Sequence, residues 1–269
     1  MKSRIRAGLC SVTFRSLTPP EIISACVENQ LEGIEWGGDV HAPHGDLRAC
    51  AEIRQRCSDA NIDLPSYGSY FRLDPASSQP SFGAVLDSAV ALGARTIRVW
   101  GGDRASCDID PAYRETLVTE ARKAGDDALA AGCQIGIEYH GNTITDSNAS
   151  ARDFISEVNH PAVKIYWQPR PNTPPADRLG GLRMILPWLC HLHVYQWIGE
   201  QVDRRPLAEG TGEWEIYLRE AAVAANSETF AFLEFVRGNS LDSMQSDAVV
   251  LRRLVSRPSI TASIESIPS

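Results

Sequence analysis

The chain has 269 residues and a net charge of -8 at pH 7, and 43% of its residues are hydrophobic and 22% charged. This composition lies near the globular average and disfavours collagen-like, disordered and disulfide-scaffold proteins. The excess of 34 acidic over 26 basic side chains argues against a nucleic-acid partner, because binding phosphates needs a basic face. A neutral or cationic small molecule suits this charge better, although a local arginine pocket can still hold an anion.

The cysteine pattern and the apolar runs indicate the cellular compartment in which the protein is expected. Seven cysteines are scattered along the chain without a CxxC pair, which indicates reduced and mostly buried thiols. The N-terminal stretch MKSRIRAGLCSVTF lacks the apolar run of a signal peptide, and no stretch approaches the roughly 18 apolar residues of a membrane span. The sequence therefore predicts a soluble, cytoplasmic protein with no membrane partner.

Short apolar runs rich in branched and aromatic residues predict strands. The runs are AGLCSVTF (7–14), GIEW (33–36), IDLPSYG (62–68), ARTIRVWG (94–101), QIGIEY (134–139), VKIYWQ (163–168), CHLHVYQW (190–197) and FAFLEFV (230–236). Stretches with helical periodicity lie between many of them, such as DLRACAEIRQRCSDA and YRETLVTEARKAGDDALAAG. Eight alternating units of this kind predict an α/β fold, a single-domain (β/α)8 TIM barrel over residues 1–258, followed by a loose C-terminal tail at 259–269.

Polar side chains end four consecutive predicted strands. Period two places Glu138 on the inward side of the fifth strand and His193 on that of the seventh, Gln168 ends the sixth, and Glu234 interrupts the apolar eighth. Each of these residues taken singly is more often structural, as a capping Glu, a core His or a packed Gln. Together they point to a site, because two carboxylates in an apolar barrel mouth need a compensating cation.

The donor types indicate which cation. Oxygen-rich ligation with one imidazole favours a divalent metal ion such as Mn2+, Mg2+ or Co2+, with Zn2+ as the alternative. A nucleotide cofactor is not predicted, because no GxGxxG or P-loop follows a strand.

Further residues near the strand ends are candidates for binding a polyol. Indole faces can stack on sugar C–H groups, with core filling as the alternative. Arg98 is expected to hold a substrate oxygen or carboxylate, or to form a structural salt bridge. His41 lies on a loop expected to overhang the site, as a proton carrier, a hydrogen-bond donor or an exposed residue. The predicted substrate-binding residues are Trp36, His41, Arg98, Trp100, His140 and Trp167.

Several motifs extend over nearly the whole chain, namely GIEWGGDVHAPHGD, LGARTIRVWGG, IEYHGNT, HLHVYQW, EGTGEW and FLEF. With this strand order, the chain resembles the xylose isomerase-like TIM barrels of the sugar phosphate isomerase and epimerase superfamily, which also contains endonuclease IV. In such proteins a Glu, an Asp, a His and a Glu on the fifth to eighth strands hold the metal. The matching residues here are Glu138, Gln168, His193 and Glu234. Gln168 departs from the pattern and removes one negative charge.

The resemblance implies a metal-dependent sugar isomerase or epimerase that removes a proton next to a carbonyl, with Glu138 and Glu234 as catalytic residues and an enediolate as intermediate. The substrate would be a ketose, an inosose or a keto-sugar without phosphate. One alternative is a lyase or dehydratase of the same superfamily that uses the same enolate chemistry. Another is a sugar-binding barrel without catalysis. A nuclease is disfavoured by the acidic surface. Barrels of this superfamily often form homo-oligomers, so a homo-oligomer is possible here.

Overall fold

A computed structural model describes residues 5–76, 80–199, 203–224 and 228–256. The predicted tail at 259–269 lies outside the described residues. Ten strands are found in the described part of the chain. They are β1 (Ile5–Cys10), β2 (Gly33–Gly37), β3 (Asp63–Arg72), β4 (Thr96–Trp100), β5 (Gln134–Glu138), β6 (Val163–Trp167), β7 (Leu189–Val194), β8 (Gln196–Ile198), β9 (Asp203–Arg205) and β10 (Thr229–Leu233).

Eight of these strands pair in parallel in the closed order β1-β2-β3-β4-β5-β6-β7-β10. A helix follows each of these strands along the chain, namely α1 (Pro19–Glu28), α2 (Leu47–Asp59), α3 (Phe82–Leu92), α4 (Pro111–Ala130), α5 (Asn148–Val158), α6 (Pro175–Ile185), α7 (Thr211–Ala224) and α8 (Leu241–Val255). The predicted (β/α)8 barrel is therefore confirmed. Parallel closure places the carboxyl end of every barrel strand at one mouth, where side chains distant in sequence can meet.

Several predicted strands run past the observed ends, among them the first, the seventh and the eighth. The first ends at Cys10, and Ser11–Phe14 forms a short 3-10 helix. The seventh ends at Val194, because the paired residues of its neighbours end at Leu233 and Trp167 and leave the following backbone no ladder to join. The residues that follow form β8, which pairs antiparallel with β9 outside the barrel sheet.

Local sequence fixes the helix ends. Thr18 and Glu21 form a capping box at the start of α1, and the Asp46 side chain accepts from the backbone N–H of Ala49 at the start of α2. Helix α3 ends on Gly93, whose φ of +80° suits a residue without a Cβ. The first two signals start a helix, and Gly93 ends one and returns the chain to the next strand.

The apolar core has two parts. The larger part lies between the strands and the helices, and a smaller cluster of Cys10, Val12, Tyr166, Cys190, Phe230 and Phe232 fills the barrel interior. Gly136 makes room for this cluster, because a Cβ there would lie 2.7 Å from a ring carbon of Tyr166. Tyr166 is therefore able to direct its hydroxyl inward, toward the mouth.

Candidate active site

The four side chains expected to hold a metal meet at the carboxyl end of the barrel. Nδ1 of His193 lies 3.5 Å from Oε1 of Glu138, 3.5 Å from Oε2 of Glu234 and 3.1 Å from Oε1 of Gln168. The ligand atoms of Glu138, His193 and Glu234 all lie within 4.8 Å of one another, and these three residues are buried. The structure thus brings together the residues at the ends of four neighbouring strands.

Glu35 is a fifth member of this cluster that sequence reasoning missed. Its Oε1 lies 3.3 Å from Nε2 of His193 and accepts a hydrogen bond from Nε of Arg98 at 2.8 Å. Its Oε2 accepts from the hydroxyls of Ser66 and Tyr166, at 2.9 and 2.6 Å. The signal was present in the second strand, where Glu35 is the one charged residue of GIEWG and period two turns it inward, opposite to Trp36.

Arg98 joins Glu35 to Glu138. Its guanidinium donates to Oε1 of Glu35 and to Oε2 of Glu138, and all three side chains are buried. Of the two roles considered for Arg98, the structure shows the salt bridge. The contacts of Arg98 are with carboxylates inside the barrel, so they do not support a role in binding substrate.

The electrostatics of the site separate the two candidate catalytic carboxylates. Burial alone would raise the pKa of Glu138, but Arg98 and His193 outweigh it and lower that pKa well below its ordinary value. The pKa of Glu234 is raised, first by burial and then by the charge of Glu138, against the opposing effect of His193. Burial would lower the pKa of His193, but the Glu234 and Glu35 carboxylates raise it well above the ordinary value.

Trp100 and His140 lie at the rim of the site. Nε1 of Trp100 donates to Oε2 of Glu138 at 2.6 Å, and its ring stacks on His140 with centroids 4.4 Å apart. Both side chains are half-buried, so each keeps an accessible surface near Glu138. The structure leaves these two in a position from which they can meet a substrate.

Two other predicted indoles lie elsewhere. Trp36 and Trp167 are 0% and 1% exposed and belong to the core between the strands and the helices. Trp167 packs edge to face against Trp214 and Tyr217 of α7. The prediction that they bind substrate is wrong, because each follows an inward-facing residue and therefore points away from the barrel interior.

His41 is also buried rather than overhanging the site. Its Nδ1 lies 3.0 Å from Oγ of Ser11 and its Nε2 lies 3.2 Å from the carbonyl oxygen of Leu17. Both ring nitrogens thus have protein partners, and the ring packs against Trp36. The expectation of a substrate-binding His41 is contradicted by these contacts, which tie the loop after β2 to the segment after β1.

The donor set fits a divalent metal ion. The Glu35 carboxylate only accepts hydrogen bonds, so Nε2 of His193 carries hydrogen and Nδ1 is the nitrogen that faces Glu138, Gln168 and Glu234. Three oxygens face Nδ1, and a cation that replaces the proton on this nitrogen would be met by its lone pair and by these oxygens. Gln168 offers its amide oxygen, while its Nε2 donates to Oε1 of Glu138 at 3.3 Å and to the carbonyl oxygen of Tyr139.

A cavity of about 580 Å3 opens at the opposite end of the barrel, where the strands begin, and Thr96, Gln134 and His191 are among its lining residues. Nε2 of His191 lies 3.1 Å from Oγ1 of Thr96, and its Nδ1 accepts from the backbone N–H of Phe230 at 3.0 Å. Burial lowers the pKa of His191 to about 3, so its ring is neutral. The candidate metal ligands do not line this cavity, which is therefore separate from the site.

The chain matches the family model of the xylose isomerase-like TIM barrel over residues 23–237, and it belongs to that family. A curated relative is the 3-dehydroshikimate dehydratase of Bacillus anthracis, 23% identical over 281 residues that cover 92% of this chain and 96% of the relative. The family resemblance inferred from the sequence motifs is thereby confirmed.

Solved structures share this fold. A xylose isomerase-like TIM barrel protein from Mycobacterium smegmatis in complex with magnesium has a TM-score of 0.73 and 17% identity, over 95% of this chain and 99% of that one. D-psicose 3-epimerase with D-tagatose from Clostridium cellulolyticum H10 has a TM-score of 0.70 and 16% identity, over 94% of this chain and 100% of that one. Proteins similar to this chain thus include a dehydratase and an epimerase.

In the part of the chain that the structure describes, the helices are too short or too polar to cross a membrane.

Proposed function

We propose that this protein is a metal-dependent enzyme that removes a proton from the carbon next to a carbonyl group of a small hydroxylated substrate, as a sugar isomerase or epimerase. The observation that carries the proposal is the pair of buried carboxylates, Glu138 and Glu234, each 3.5 Å from Nδ1 of His193 at the barrel mouth. Two carboxylates around one point supply a base and its conjugate acid for a proton transfer between carbons.

Glu138, Gln168, His193 and Glu234 would hold the divalent ion, for which Mn2+, Mg2+ or Co2+ suits the oxygen-rich set. When bound, such an ion polarises the substrate carbonyl and stabilises the negative charge that develops on its oxygen. The fold shared with the magnesium complex from Mycobacterium smegmatis supports this assignment. The amide of Gln168 contributes a dipole where an acid would contribute a charge, so this chain is expected to bind the ion more weakly than a protein with four charged ligands.

The surroundings of the two carboxylates assign their roles. Oε2 of Glu138 accepts from both Arg98 and Trp100, and such donors make a carboxylate less basic. In the described residues no side-chain hydrogen bond is donated to Glu234, whose Oε2 lies 3.5 Å from Nδ1 of His193. Glu234 is therefore the better base and takes the proton at a carboxylate oxygen, from which the proton exchanges with solvent. Glu138 is the candidate that takes up a proton from solvent and returns it to the neighbouring carbon or to the opposite face.

Trp100 and His140 orient the substrate at the rim. The stacked pair covers the Glu138 side of the mouth, where an apolar ring face excludes water from the charge that develops during proton transfer. A ketose, an inosose or a keto-sugar fits a mouth with aromatic side chains and several hydrogen-bonding groups. A cytoplasmic location and a homo-oligomeric state remain predictions.

The second candidate function is a dehydratase, which the relative from Bacillus anthracis favours because the match covers 92% of this chain. The first step is the same proton abstraction by Glu234. The electron pair then expels a hydroxyl group from the adjacent carbon instead of being protonated there, and the hydroxyl leaves as water with the proton that Glu234 took up. The two functions differ only in the fate of the electron pair.

Proton exchange with solvent tests the common step. The Mn2+-loaded protein is incubated in deuterated buffer with ketoses, keto-inositols, 3-keto sugars and 3-dehydroshikimate, and deuterium uptake or loss of water is read by mass spectrometry. We expect at least one compound to react, and Glu138→Gln and Glu234→Gln each to abolish net conversion. His41→Asn is the control and retains the reaction, because its ring contacts Ser11 and Leu17. Wild-type protein that neither labels nor dehydrates any compound would overturn the proposal.

A further inference from the structure

We infer that Glu35 is a positioning residue for the candidate metal site. Its carboxylate keeps a proton on Nε2 of His193 and so presents Nδ1 as the ligand atom. The inference rests on the proposed metal-dependent function. Glu35 itself does not reach the point where Glu138, Gln168 and Glu234 meet, because it contacts the opposite edge of the imidazole ring.

The first step is the tautomer of His193. A neutral imidazole has one nitrogen with hydrogen and one with a lone pair, and an ionised carboxylate can only accept. Nε2 faces Oε1 of Glu35 at 3.3 Å, while Nδ1 faces the oxygens of the candidate metal ligands. When a cation takes the place of the proton on Nδ1, Nε2 is therefore the nitrogen that keeps its hydrogen. The lone pair of the neutral ring then lies on Nδ1, which is 3.1 Å from the Gln168 oxygen and 3.5 Å from an oxygen of Glu234.

The second step is the rigidity of Glu35 itself. Besides His193, its carboxylate receives Nε of Arg98 from β4, the hydroxyls of Ser66 from β3 and Tyr166 from β6, and Sγ of Cys10 from β1 at 3.2 Å. Glu35 is completely buried. Donors from four different strands fix its position and keep it ionised, so the orientation of the imidazole ring is fixed by the barrel as a whole.

A different reading would make Cys10, Glu35 and His193 a second metal site, since their ligand atoms also lie within 4.8 Å of one another. The guanidinium of Arg98, 2.8 Å from Oε1 of Glu35, argues against it, because a second cation there would be repelled at close range in a buried setting. Burial also raises the pKa of the Cys10 thiol, which opposes the thiolate that a metal needs. The cluster is therefore a hydrogen-bonded support for His193.

The wild-type protein gives the first test. Protein labelled with 15N in its histidines is titrated with Zn2+, a diamagnetic probe, and the two ring nitrogens of His193 are followed by NMR. We expect Nε2 to keep its hydrogen and Nδ1 to shift on metal binding. Hydrogen on Nδ1 with the metal on Nε2 would overturn the inference, whatever the behaviour of any variant.

Substitution gives the second test, read as Mn2+ affinity by titration calorimetry. Glu35→Met removes the acceptor at similar size and is expected to weaken Mn2+ binding about 10- to 100-fold, the range found for partners of metal-bound histidines. Glu35→Gln keeps an acceptor oxygen and is expected to lose less. Asp247→Asn, a buried acid-to-amide change in α8, is the matched control and should not alter the affinity.

These measurements separate the two proposals. Wild-type protein that binds no divalent ion would remove the proposed function and this inference with it. If Glu35→Met binds Mn2+ as tightly as the wild-type protein does, the inference is overturned and the proposed function is not. If Glu35→Met fails to fold, the NMR spectrum of His193 in the wild-type protein and the Mn2+ affinity of Glu35→Gln test the inference instead. A Glu35→Gln protein with an altered His193 tautomer and unchanged Mn2+ affinity would also contradict the inference.

Discussion

Oε1 of Gln168 lies 3.1 Å from Nδ1 of His193, while the nitrogen of the same amide donates to Oε1 of Glu138 at 3.3 Å. Gln168 thus bridges two of the proposed metal ligands, at the place where the family resemblance leads us to expect an acid. An amide in this place keeps the geometry of the cluster and lowers its negative charge by one. The relationship leads directly to a test of the metal site.

Gln168→Asp is expected to raise the affinity for Mn2+ about tenfold or more, because a full carboxylate attracts the ion more strongly than an amide dipole. Titration calorimetry measures the change. Gln134→Asp is the control, because Gln134 donates to Thr96 at the other end of the barrel. Unchanged or weaker binding by Gln168→Asp would mean that Gln168 does not contact the ion.

Trp36→Phe should change the stability of the protein, whereas Trp100→Phe should change its Mn2+ affinity. Trp36 is completely buried in the core, so its replacement should lower the free energy of unfolding by about 1–3 kcal/mol and leave Mn2+ affinity unchanged. Trp100→Phe removes the hydrogen bond to Glu138 and should alter Mn2+ affinity. Urea denaturation and calorimetry on the same samples measure both. A Trp36→Phe protein of normal stability with impaired metal binding would contradict this assignment.

Asp247 should show its burial through pH dependence. Its Oδ1 accepts from the backbone N–H of Leu207 at 2.8 Å, and burial raises its pKa. A raised pKa means that Asp247 favours the folded state at acidic pH, and that this contribution is lost as the pH rises through the folded-state pKa. Asp247→Asn keeps the acceptor and should match or exceed wild-type stability at pH 7.

Asp247→Ala should be less stable by about 1–3 kcal/mol, because the Leu207 N–H loses its partner. Urea denaturation of the three proteins at pH 5 and pH 7 measures both effects. The expectation fails if Asp247→Asn is as unstable as Asp247→Ala at pH 7.

Thiol reactivity should single out Cys107. It is exposed, Cys133 is half-buried, and the other five cysteines are buried without disulfides. We expect one thiol of the native protein to react rapidly with a chromogenic disulfide, a second slowly, and the rest only in denaturant. Cys107→Ser should remove the fast phase. A fast phase that survives this substitution would place an accessible thiol elsewhere.

The periodicity of the sequence determined the barrel and much of the site. Eight apolar runs alternating with amphipathic stretches were enough for the (β/α)8 fold, because side chains alternate in every strand and parallel pairing brings all strand ends to one mouth. The same alternation placed Glu138 and His193 inside. It also turns Trp36 and Trp167 away from the barrel interior, because their neighbours Glu35 and Tyr166 face inward. The prediction that these two tryptophans bind substrate followed their residue type instead of this alternation.

Only the tertiary structure decided what the inward side chains do together. Glu35 and His193 are 158 positions apart, and their contact depends on the register around a closed barrel, which no local pattern contains. Arg98 became a buried link between two carboxylates for the same reason. Period two is a local property of the chain and can be read from the sequence, whereas the partner of a buried charge is set by closure of the whole sheet.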